Sequence, residues 1–129
     1  MPGTNIFEYA VIRVVPRVDR EEFLNVGVVL FCPSLKFLDL RIDHDCRRLL
    51  SLDPRLDLDE LERHLHAFGS IIRGEPAAGP IGRLDLAGRF RWLTATRSTV
   101  LQTSKVHPGL CTDPAATLAK LFTDLVAIE

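Results

Sequence analysis

FEYAVIRVVPRVDREEFLNVGVVLFCPSLKFL, residues 7–38, holds the segments that decide the fold. Phe7–Val15 is rich in β-branched and aromatic residues and stops at Pro16, which has no amide hydrogen to donate and so ends a strand or puts it at an edge. Asp19–Asn25 is too polar for a core and too short for a stable helix of its own. Val26–Phe31 is almost wholly apolar, which predicts a strand covered on both faces. Its lone Gly27 marks a bulge or a close backbone approach rather than a phosphate loop. After the Cys32-Pro33 turn, Phe37–Ile42 alternates apolar and polar residues, as a strand with one wet face does. Connections this short allow only antiparallel pairing, because a parallel pair needs a crossover of a dozen or more residues.

Downstream, Asp43–Ser51 reads as a short helix with Leu49 and Leu50 turned inward, broken at Asp53-Pro54. The clearest helix is Leu58–Arg73. Asp57 can cap it, Glu60 lies three residues on, and Leu58, Leu61, Leu65, Phe68 and Ile72 recur at three- and four-residue steps. Gly74 suits its left-handed C-terminal turn. Glu75–Gly82, with two prolines and two glycines, reads as a loop and as the segment best suited to move. Leu84–Leu93 suits a short helix weakened by Gly88, and Ser98–Thr103 a fourth strand. Asp113-Pro114 opens a last helix, Ala115–Ala127, with Leu118, Leu121, Phe122 and Leu125 on its buried side. The sum is an α+β fold: a single small domain over residues 1–129, with a mostly antiparallel sheet of about four strands and helices packed on one face.

A chain of 129 residues can bury a real core without metal or disulfide staples. Its net charge of −1 argues against sequence-blind attraction to nucleic acid or to an anionic membrane. No apolar run approaches the roughly 20 residues needed to span a bilayer, and the start lacks the basic region of a signal peptide. Cys32, Cys46 and Cys111 are an odd number with no CxxC spacing, which reads as reduced thiols in a cytoplasmic protein.

Two blocks carry a resemblance to a family. YAVIRVVP followed by REEFLNVGVVLFCP, in residues 9–33, and FRWLTATRSTVLQTSKVHPG, residues 90–109, resemble the N-terminal and C-terminal blocks of DUF3037, a family of short bacterial proteins of unknown function. The match between the blocks is looser and rests on the helix around Leu58–Arg73. The resemblance implies a fold but no activity, and it brings no catalytic residues. Its one functional hint is that such genes lie beside a gene for a kinase-like protein of the persistence-toxin type.

The residues themselves offer a few chemical candidates. Between Arg83 and Lys105 stand five basic residues (Arg83, Arg89, Arg91, Arg97, Lys105) and a single acid, Asp85. Arg97, Ser98 and Thr99 at a strand entry could converge on a phosphate or carboxylate, and Asn25 could join Arg97 at one end of the sheet. Phe90 and Trp92 interleave with Arg89 and Arg91, a mixture that can stack bases if Trp92 is exposed. The plainer alternatives are a solvated helix face, a core Trp92, an Arg97 paired to an acid, and an Asn25 that fixes the turn into the second strand.

A second group, Asp39, Asp43, His44, Asp45 and Cys46, has metal-binding residue types. Arg41, Arg47 and Arg48 stand near enough to neutralise it, its spacing fits no zinc pattern, and no metal is expected. His64 and His66, two apart on a helix, point away from each other. Ser98, Ser104, Cys46, Cys111 and His107 could serve nucleophilic catalysis, but no GxSxG elbow frames them. His107-Pro108-Gly109 reads as an exposed turn. Neither GxxxxGK nor GxGxxG occurs, so no cofactor is implied.

The function these observations favour is a non-enzymatic interaction or regulatory module that binds a protein partner, with the kinase-like neighbour as the candidate. The enzyme alternative is a hydrolase or phosphoryl-transfer activity around Arg97 with Asp43, Asp45 or His107. A nucleic-acid module through Arg89, Arg91 and Trp92 is the third. An edge strand also leaves a homodimer open.

Overall fold

β1 (Asn5–Val14) runs through the interior of the sheet, in the computed structural model that describes residues 4–43, 47–95 and 99–127. The order is β3-β2-β1-β4, with a fifth strand also paired to β1 and every pairing antiparallel. β2 (Leu24–Cys32) lies along one side of β1, and β3 (Phe37–Ile42) lies outside β2. The other side of β1 is shared by two short strands. β4 (Leu101–Thr103) takes Ile12–Val14, and β5 (His107–Cys111) takes Asn5–Tyr9.

Between these two strands Ser104 completes the edge. Its amide donates to the Val11 carbonyl at 2.8 Å, and its hydroxyl accepts from the Val11 amide at 2.8 Å and donates to the Lys105 carbonyl. A side chain thus satisfies a buried backbone donor where the strand breaks.

The expected four strands are present and β5 is added to them. His107-Pro108-Gly109 is strand rather than turn, because Pro108 sits on the outermost strand, where a missing donor is tolerated. The expected fourth strand is Leu101–Thr103, and Val15 extends its pairing through a 2.7 Å bond to Val100. Gly27 meets both readings of its role. The β1–β2 register shifts beside it, and a Cβ there would lie 2.6 Å from the Arg41 carbonyl oxygen.

Helices cover both faces, whereas the sequence reading packed them on one. The larger core joins Ala10, Ile12, Val14, Val29 and Phe31 of the sheet to α2 (Leu58–Arg73) and α3 (Leu86–Thr94). The smaller joins Phe7, Val28, Leu30, Cys32 and Cys111 to α4 (Pro114–Leu125). The reason is in β2: Val28–Cys32 is apolar at every position, so its two faces each need a cover.

α2 has the expected bounds, with Asp57 accepting from the Glu60 amide at 3.1 Å and Gly74 at φ +65° closing the C-terminus. Leu61, Leu65, Phe68 and Ile72 are buried and Leu58 half-buried. Glu75–Gly82 is more ordered than a loop. Pro76–Arg83 forms 3₁₀ turns kinked at Gly79, with Gly82 buried. α1 (Arg47–Leu52) buries Leu49, while Leu50 is exposed, and residues 44–46 of that expected helix lie outside the described residues. In α4, Leu118 is buried, Leu121 and Phe122 are half-buried and Leu125, the last residue of the helix, is exposed.

Candidate functional site

An apolar cleft of about 590 Å³ opens on the face covered by α2 and α3. Leu61, Phe68 and Ile71 of α2 form its floor with Leu101 of β4. Trp92 of α3, 37% exposed, forms a wall, and Thr99 and Val100 close another side. The rim is polar: Asp57, Glu60 and His64 come from the first half of α2. Glu60 lies 3.6 Å from His64 across one helical turn, and the Asp57 carboxylate is held by its capping bond. The amphipathic pattern of α2 explains the cleft. Its apolar stripe turns Leu61, Phe68 and Ile71 toward Leu101 of β4, and its polar side supplies the rim. Volume and lining both fall in the range of ligand and peptide-anchor pockets.

The residues picked out from the sequence go elsewhere. Arg91 makes a bidentate pair with Glu8 of β1, at 2.8 and 3.2 Å, which holds its guanidinium above the ordinary arginine pKa. Arg89 folds back to donate to the Leu84 carbonyl at 2.9 Å, and its guanidinium packs beside Gly74. Lys105 is exposed in the link between β4 and β5. Asn25 donates to the Leu125 carbonyl at 3.2 Å, at the end of α4. Arg97 and Ser98 lie outside the described residues.

Asn25 is opposite Arg13 in the register, five residues along β1 from the Glu8 that holds Arg91. That separation is about 16 Å and an odd number of residues, so Asn25 and Arg91 sit on opposite faces. Of the cations in the base-stacking reading, Arg91 is paired and Arg89 is turned inward.

The other candidates disperse too. Asp43 lies 3.5 Å from Arg48, Asp39 is exposed on β3, and His44, Asp45 and Cys46 lie outside the described residues. Among the described residues no group of three or more His, Cys, Asp or Glu could hold a metal ion. Cys32 and Cys111 are free and buried. Burial, with Cys32 alongside, pushes the Cys111 thiol up and away from the reactive thiolate. His107 is exposed, its ring 5.3 Å from Tyr9. The cleft itself was not foreseen. Its signals were present in the spacing of Leu61, Phe68 and Ile71, but a single sequence does not tell where the segments packed on such a stripe leave a gap.

Residues 9–126 match the family described as protein of unknown function, DUF3037. The chain belongs to this family. No curated protein and no solved structure matches it. In this DUF3037 chain the two blocks that carry the resemblance lie side by side, since β1 pairs with β2 on one edge and with β4 and β5 on the other. No helix among the described residues is long and apolar enough to cross a membrane.

Proposed function

We propose that this chain is a non-enzymatic, cytoplasmic interaction module that takes an apolar segment of a partner protein into the cleft between α2, α3 and Thr99–Leu101. The observation that carries this reading is the cleft's chemistry, an apolar floor and a Trp92 wall bounded by the acidic groups Asp57 and Glu60. Such a lining takes up aliphatic or aromatic anchors. The acids at the rim favour an anchor flanked by lysine or arginine. The gene neighbourhood associated with the family makes a kinase-like protein the first partner to test.

The test is calorimetric titration of the full chain against that purified neighbour. Ala67 lines the cleft and is exposed, so Ala67→Trp fills the space without disturbing the core. Binding that falls at least tenfold in Ala67→Trp, and several-fold in Glu60→Lys, supports the reading. Absence of a complex, or one indifferent to both substitutions, overturns it.

A further inference from the structure

On the opposite face the sheet carries a polar row that α4 does not cover with apolar side chains. The register places Asn25 of β2 and Gln102 of β4 on either side of Arg13 of β1. The Arg13 guanidinium lies over the ring of Phe23, its Cζ 4.0 Å from the centroid, and this contact both attracts the cation and fixes its plane. Phe23 itself is 46% exposed, so the pair forms a wall open to solvent.

Nothing among the described residues neutralises Arg13. No carboxylate pairs with it, and burial alone acts on it, lowering its pKa from the ordinary arginine value while it stays charged at neutral pH. The last carbonyls of α4 make their bonds to other groups: Leu125 accepts from Asn25, and Val126 from Arg48 at 2.9 Å. Arg13 Nε and Asn25 Oδ1, a donor and an acceptor on paired residues, are both closed from solvent without a partner. The bond to Leu125 orients the Asn25 amide, because turning it over would set two acceptors against each other. A guanidinium ordered on a ring and left without a counter-charge is a ready partner for an anion.

We propose that Arg13, held on Phe23 between Asn25 and Gln102, is the anchor of a carboxylate-binding site. A carboxylate matches a planar guanidinium with two parallel bonds. Phe23 supplies an apolar surface for the carbon attached to the carboxylate. The site is separate from the cleft, which lies on the other face, and stands or falls without it.

Nitrogen-15 spectroscopy of the full chain during titration with sodium acetate, and separately with inorganic phosphate, at constant ionic strength tests the assignment. The Arg13 Nε–H and the backbone amides of Phe23 and Asn25 should move together and saturate with acetate at about 1–10 mM, as suits one bidentate pair. The exposed Arg63 and Arg83 should stay still. Arg13→Met should abolish the response at Phe23 and Asn25, and Phe23→Leu, which keeps the cation, should weaken it several-fold. No saturation by roughly 50 mM acetate, equal shifts at all arginines, or an unchanged response in Arg13→Met would overturn the site. A response to phosphate alone would overturn the carboxylate assignment.

Discussion

The two faces of the sheet are built differently. One is covered by α2, α3 and the turns between them, over a core from Ala10 to Leu101 that includes the fully buried Phe90 and Leu93. The other, among the described residues, is covered by α4, whose Leu121 and Phe122 are only half-buried and whose end gives way to Asn25, Arg13 and Gln102. The thick face holds the fold. The thin face leaves polar groups and strand ends within reach of other molecules. Even the thick face is incomplete at its margins. Its cleft stays open beside Trp92, and Ile6 and Leu110, partners across β1 and β5, are 65% and 69% exposed.

The sharpest way to break this comparison is to remove volume from each core. Phe90 is 0% exposed and its ring lies 5.4 Å from Phe31, so Phe90→Ala should lower unfolding free energy by about 3–5 kcal/mol in urea titrations. Leu118→Ala on α4 should cost less, about 2–3 kcal/mol, since its half-buried neighbours can settle into the space. Equal losses would mean that the faces share one core in energetic terms. Hydrogen exchange sharpens the point: the amides of α4 should open before those of α2, and the reverse order would end the distinction.

Smaller effects probe the polar edges. Asn25→Ala removes the bond to Leu125 and should cost about 1 kcal/mol, with faster exchange at the end of α4 but not in α2. Glu8→Gln breaks the pair with Arg91, which is mostly exposed on the Arg91 side, and should change stability by under about 1 kcal/mol. That difference should shrink further in high salt, because screening weakens exposed pairs.

The thick face was far more legible in the sequence than the thin one. Leu58–Arg73 announced itself through period, cap and Gly74, and Phe37–Ile42 through alternation, because each rule acts within the element. β5 was missed because Pro108 and Gly109 carry turn chemistry, and only pairing with β1, about a hundred residues away, makes them strand. The division of helices between faces was written in the unbroken apolar run of Val28–Cys32, yet nothing local says which helix covers which side. The cleft and the Arg13 row escaped for the same reason. Arg13 reads as an ordinary polar residue in a strand until the register brings Asn25 and Gln102 beside it. Arg91, singled out for its charge, was committed to Glu8, a partner 83 residues away.

The shared edge of β1 also sets an order of events during synthesis. The first three strands are joined by short connections and can pair as soon as they leave the ribosome. The outer side of β1 then has to wait for residues 101–111, which are made well after β3. Until those residues arrive, the nascent protein exposes an unpaired row of backbone donors and acceptors together with apolar side chains on both faces. Incomplete chains that end before β4 are therefore the form of this protein most prone to stick to one another, and the form with most need of a chaperone.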